Sequence, residues 1–272
     1  MQLGISSYTF NWWAGVRGYP IPRAPLTPVR LLEAAHDRQV GVVQIADNLP
    51  LHYLSLIALN ELAERARDLG IKLETGTSGI DAETLGCYLE ISRRVGSRLL
   101  RTLIDTPAHQ PTEDEAITEL RLAAPEFERA GVVLGIENHD RLSSAVLRRI
   151  VDAVGSPAVG VCLDTANSLG CGEDLSTVLD SLTEVTVNLH IKDFTVRRLP
   201  HGKGFVVTGA PAGQGLLRIP ELLGRLSAAG RDVSCILELW SEPESTVDES
   251  VAKEDRWADE SLRYLRTLIP AT

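Results

Sequence analysis

Four short runs carry side chains that together could hold a cation: GIENH with Glu137, VCLDTAN with Asp164, LHIKDF with His190 and ILELW with Glu238. Each residue stands at or near the end of a stretch rich in Val, Ile and Leu. A carboxylate buried in such surroundings costs several kcal/mol unless it is paired or bound to a metal, and three at one opening also repel. A divalent ion removes that conflict. One imidazole and three carboxylates form a hard, oxygen-rich donor set that suits Mn²⁺ or Mg²⁺, with Co²⁺ and Zn²⁺ as further options. Any one of the four alone reads equally well as a solvated rim group. The set, on four successive runs, points to a metal.

The elements that must position them repeat along the chain. Runs with strand character at 3–9, 42–46, 71–75, 99–104, 132–137, 159–164, 185–191 and 235–239 alternate with helical patterns. The helical segments are 28–39, 54–70, 81–96, 112–131, 143–154, 174–183, 218–229 and 253–268. Strand-to-strand spacing of about 30 residues fits a βαβ crossover. Eight such units predict the α/β class and a closed (β/α)₈ TIM barrel, one domain over residues 1–272. An open doubly wound sheet would carry a GxGxxG after its first strand, where this chain has SSYTFNWW. Barrel active sites lie at the C-terminal ends of the strands, where the four residues fall. Pro125 is expected to kink or split the helix around it. Long loops at 11–28 and 194–215 are expected to wall or cover the same face.

Further residues follow by position. Lys192 shares strand parity with His190 and should point into the same opening. Only four lysines occur against 23 arginines, and Lys192 and Lys203 fall in or just after the seventh strand. Asn167, His139 and Trp12 are candidate substrate contacts, although His139 could instead cap a loop and Trp12, with Trp13 and Phe10, could plug the barrel mouth. Arg197, Arg198, His201 and Lys203 form a basic group that reads either as a solvated loop or as a clamp for a carboxylate or phosphate. Asp193 has the opposite parity to Lys192 and is expected outside the donor set. Asp47, Asn48, Glu74 and Arg101 lie where they could reach the pocket.

With 37 acidic against 27 basic side chains among 272 residues, the formal charge is −10, which argues against binding nucleic acid or anionic membranes. The four cysteines show no metal-finger spacing, and no run approaches the roughly 18 apolar residues of a membrane span. With no leader pattern before LGISSYTF, the expectation is a cytoplasmic, reduced protein acting on a small molecule, compatible with a homodimer or tetramer.

The Glu–Asp–His–Glu order and the IEN, LDTAN and HIKD runs resemble the xylose-isomerase-like TIM-barrel superfamily of sugar (phosphate) isomerases and epimerases, from GISSYTF to ILELW. The resemblance implies one divalent ion held by Glu137, Asp164, His190 and Glu238. In the epimerase branch it also makes Glu137 and Glu238 the acid/base pair. Asn167 stands where many relatives have histidine, and an amide cannot titrate. The implied chemistry is coherent: a metal on two adjacent sugar oxygens stabilises an enediolate, and two carboxylates remove and return the proton. The leading expectation is a metal-dependent sugar or sugar-acid isomerase or epimerase. The alternative is a decarboxylase, because VVQIADNLPL, GYPIPRAPLT and the basic loop resemble a subgroup containing decarboxylases of 3-oxo sugar acids of the oxo-isoapionate type. A non-catalytic sugar-binding barrel would have no need to keep all four donors. The apurinic endonuclease IV family shares the barrel and the donor order, but its three-zinc site needs histidines that ADNLP, ETGTS and Asn167 do not provide.

Overall fold

The structure, a computed structural model, describes residues 1–270; Ala271 and Thr272, the end of the expected domain, lie outside the described residues. Eight parallel strands close into a barrel: β1 (Gln2–Ser6), β2 (Val42–Ile45), β3 (Lys72–Ser78), β4 (Leu99–Leu103), β5 (Val133–Glu137), β6 (Val159–Asp164), β7 (Thr186–Ile191) and β10 (Ser234–Leu237). β10 pairs with both β7 and β1, and β1 with β2, which completes the ring. β6 is buried along its whole length because one face meets the barrel axis and the other the helices, hence its apolar run VGVCLD.

Helices α2 (Pro28–Asp37), α3 (Leu56–Asp68), α4 (Ala82–Val95), α5 (Glu113–Ala130), α6 (Ser144–Val154), α7 (Leu175–Leu182), α8 (Ile219–Ala228) and α9 (Val247–Leu265) surround it. Side-chain caps open most of them, among them Asp81 on α4 and the Thr112–Glu115 box on α5. Gly96 and Gly131 close those two helices at φ 76° and 65°. No helix of the described residues is long and apolar enough to cross a membrane.

Several expectations are corrected. α5 is not split: it runs unbroken through Pro125, which is exposed, as is Arg121 one turn before it. α9 starts at Val247 rather than 253, since Thr246 and Glu249 form a capping box ahead of the apolar pattern. β1 ends at Ser6, whose side chain caps a 3₁₀ turn, and the segment beyond continues into a short helix, α1 (Asn11–Ala14). The loop after β7 contains an antiparallel hairpin, β8 (Phe194–Arg198) and β9 (Phe205–Gly209). β3 extends to Ser78, so Glu74 sits near its beginning, beside Ser234 at the start of β10, and not at the mouth.

Candidate active site

Glu137, Asp164 and His190 end or nearly end β5, β6 and β7, and Glu238 follows β10 directly. Asp164 is level with His190 across the β6–β7 pair, and the Glu238 backbone N–H donates to Ile191 O at 3.0 Å. All four side chains are buried, none more than 4% exposed. His190 Nδ1 lies 3.4 Å from Glu137 Oε2, 3.4 Å from Glu238 Oε1 and 3.9 Å from Asp164 Oδ2. The structure thus converges the expected donor set on one point.

The residues fit a divalent ion. His190 Nδ1 and Asp164 Oδ2 are buried without a hydrogen bond, and the Lys192 ammonium lies 3.0 Å from Asp164 Oδ2. Ligand atoms of Asp164, His190 and Glu238 lie within 4.8 Å of one another. Cys162 Sγ is also close to Glu137 and His190, but burial, reinforced by Glu137, keeps its thiol protonated, and it turns toward Asn188 Oδ1 at 3.2 Å. The other oxygen of Asp164 accepts from the backbone N–H of Ala166 and Asn167 at 2.8 and 2.7 Å, which fixes the carboxylate's direction.

Two cations share this space. Lys192 Nζ is 3.0 Å from both Asp164 Oδ2 and Glu238 Oε2. Burial works against its charged form, yet Asp164, Glu238 and Glu137 outweigh burial and hold the ammonium above the usual lysine range. Arg101, 3% exposed, donates through Nε to Glu137 and through Nη1 to Asp47 at 2.8 Å. Burial would raise the Glu238 carboxyl, but His190, Lys192 and Arg101 together pull it down to about 2. Asn167 donates to Glu137 Oε1 at 2.7 Å, and its oxygen faces Lys192 at 3.4 Å.

Lys192, Asn167 and Arg101 therefore join the cluster. His139 is half-exposed, bonds Asp140 at 2.6 Å and lines a cavity of about 270 Å³ with Glu137. Trp12 packs edge-on against Tyr19 and donates to Ser241 O at 3.0 Å, three residues past Glu238. The hairpin cations are not brought to the cluster. Arg197 pairs with Glu242 at 2.8 Å, Arg198 lies over the Phe205 ring, and His201 and Lys203 are exposed in the turn. Asp193 is an anchor: its carboxylate accepts from the backbone N–H of Phe194, Gly213, Gly215 and Leu217 at 2.8 to 3.0 Å. Asn48 bonds Ser7 and Asn11 within the first loop.

Sequence reading missed three polar residues that hold this constellation. Ser6 donates to Glu238 Oε1 at 3.1 Å, Gln44 meets His190 Nε2 at 2.8 Å, and Tyr8 donates to Asp47 at 3.3 Å. Gln44 had a signal, as an amide inside the apolar strand VVQI. Ser6 and Tyr8, in SSYTF, had none.

The fold and site define a class: a (β/α)₈ barrel with one buried carboxylate–imidazole centre at its C-terminal mouth. Residues 55–268 match the family model of the xylose isomerase-like TIM barrel, and the chain belongs to that family. It is 37% identical over 270 residues to the 3-oxo-isoapionate decarboxylase of Pectobacterium atrosepticum, covering 99% of this chain and 97% of that one. Among solved structures it resembles a D-psicose 3-epimerase determined in the presence of D-fructose, with TM-score 0.75, 14% identity and full coverage of both chains. A xylose isomerase-like TIM barrel protein from Mycobacterium smegmatis in complex with magnesium gives TM-score 0.69 at 15% identity, over 97% of each chain. At such identities these two likenesses are of fold.

Proposed function

We propose that this protein is a divalent-metal-dependent decarboxylase of a 3-oxo sugar acid. Of the two reactions expected from the sequence, this alternative is better supported than isomerisation or epimerisation. The relative at 37% identity over both full chains acts on such a substrate by its name. The observation that carries the choice is at Glu137: Arg101 donates to one oxygen and Asn167 to the other, so a proton taken up there would compete with an N–H already in place, whereas an ion can use the remaining lone pairs. Epimerisation needs two carboxylates that exchange a proton with carbon. Decarboxylation needs none to begin.

In the proposed reaction the bond to the carboxylate carbon breaks and its electron pair moves to the neighbouring carbonyl, giving an enediolate. CO₂ departs, and the carbon then takes a proton from water. A divalent ion held by Glu137, Asp164, His190 and Glu238 supplies Lewis acidity toward the oxygens where charge gathers. Manganese or magnesium suits the donor set, and the cytoplasm remains the proposed location. Lys192, kept protonated, is the buried cation that binds the substrate carboxylate, with Asn167 beside it. Arg101 orients Glu137. His139, Trp12, Arg197 and Lys203 are proposed as outer substrate contacts, the last two only if the hairpin closes.

Epimerisation retains one observation: Glu137 and Glu238 flank His190 Nδ1 at the same 3.4 Å, as an acid/base pair would. NMR separates the two. Protein supplied with Mn²⁺ in D₂O is offered a panel of 3-oxo sugar acids and keto sugars. The proposal expects CO₂ loss from an oxo acid; deuterium exchange and epimers of keto sugars without CO₂ loss from any acid would reject it.

A further inference from the structure

Beneath the candidate metal centre lies a second polar group, buried in the barrel axis, that the reaction does not use. Gln44, Glu74 and Asn188 project from β2, β3 and β7, and Gln44 and Asn188 are wholly buried. His190 Nε2 meets Gln44 Oε1 at 2.8 Å. The Gln44 amide nitrogen donates to Glu74 Oε2 and to Asn188 Oδ1, both at 3.1 Å. Asn188 in turn donates to Glu74 Oε2 at 3.0 Å, and Ser234 donates to the other Glu74 oxygen.

This wiring has one direction. Rotating the Gln44 amide end for end would set its oxygen against Glu74 Oε2 and Asn188 Oδ1, three acceptors face to face in a dry interior. Asn188 cannot relieve the clash by turning, because its oxygen also accepts from the Cys162 thiol at 3.2 Å. Glu74 Oε2, which accepts from two amide N–H groups, remains an acceptor when a proton sits on Oε1 beside the Ser234 hydroxyl, so the order survives protonation there. Gln44 therefore always presents an oxygen to His190, and Nε2 must carry the ring proton. In the neutral ring the lone pair is then on Nδ1, the nitrogen that faces Glu137, Asp164 and Glu238.

We infer that Gln44, held in orientation by Glu74 and Asn188, is a positioning residue that sets the His190 tautomer and makes Nδ1 the metal-coordinating atom. A histidine ligand is commonly fixed by an acceptor on its far nitrogen, and loss of that acceptor weakens metal binding by about 10–100-fold. The inference rests on the proposed metal site, so its test has two independent readouts. Metal-stripped protein is titrated with Mn²⁺ by calorimetry, and the His190 ring nitrogens of metal-free, ¹⁵N-histidine-labelled protein are read by NMR for the protonated nitrogen.

Gln44→Met keeps the volume and removes the acceptor. It is expected to weaken Mn²⁺ binding by about 10–100-fold and to lose the Nε2–H preference expected of the parent chain. Affinity within about threefold of the parent, with the Nε2–H form unchanged, would overturn the inference. If the parent chain takes up no Mn²⁺, the metal reading fails, while the NMR readout still decides the tautomer relay. Should Gln44→Met not fold, the paired exchange Gln44→Glu with Glu74→Gln keeps an acceptor toward His190. The folded pair is expected to hold Mn²⁺ within about threefold of the parent, and loss of binding there would overturn the inference.

Discussion

At the scale of single residues, the centre is a contest for oxygen atoms. Lys192 occupies Asp164 Oδ2 and Glu238 Oε2, and a cation bound by the same carboxylates must share them. An ammonium and a divalent ion about shared oxygens repel, and an anionic substrate offsets that repulsion. Lys192→Met should therefore lower decarboxylation by about 10²–10³-fold, while Mn²⁺ affinity rises or holds. Steady-state rates beside metal titration check this; equal loss of both would make Lys192 a structural residue. Arg197→Ala and Lys203→Ala, far less buried, should change the rate by less than about threefold. The convergence of Glu137, Asp164, His190, Glu238 and Lys192 was legible because polar residues at the ends of successive apolar strands share one mouth, although any one donor alone reads as well as a solvated rim group. Arg101 was named only as a residue that could reach the pocket, since an arginine inside LLRTL gives no sign of which carboxylate it will meet. Ser6 and Gln44 act through geometry that only barrel closure creates, by setting β1 beside β10 and β2 across the barrel from β7.

At the scale of elements, the crossover helices were readable from caps and periodicity, whereas the connections were not. The hairpin β8–β9 hid behind the glycines and proline of LPHGKG, which read as an open loop. Asp193 binds the far ends of that connection together, and Gly215 lets the backbone approach it: a Cβ there would meet Asp193 Oδ1 at 2.1 Å. The segment after β1 is held from the opposite end of the chain. Glu254, on α9, accepts from the backbone N–H of Trp12 at 2.8 Å and of Trp13 at 3.3 Å. Burial pushes its carboxyl up to about 8, against the pull of those N–H groups. A carboxyl raised on folding favours the folded state while protonated in both states. That contribution is complete below about 4.5 and is lost as pH climbs to about 8. Urea denaturation should show stability falling across this window by up to about 1.4 kcal/mol per pH unit. Glu254→Gln should flatten the slope, and an unchanged slope would clear Glu254 of the effect.

At the scale of the whole molecule, the closed barrel explains why so much was legible. Strands buried on both faces must be apolar, so the polar exceptions stand out, and those at the C-terminal strand ends share one mouth. Ring closure also brings β10 against β1 and β7, placing Glu238 between Ser6 and His190 although 232 residues separate Glu238 from Ser6. A cation seated there ties four strands together. At a hundred times its dissociation constant it should stabilise the fold by about 2.7 kcal/mol, and an EDTA-stripped sample should melt several degrees lower. The most direct test joins metal to chemistry: Mn²⁺ titrated into stripped protein while ¹³CO₂ is followed from a carboxylate-labelled 3-oxo sugar acid. Release should rise with added ion and level off at one Mn²⁺ per chain. Release that ignores the metal, or no release at full occupancy, would contradict the account.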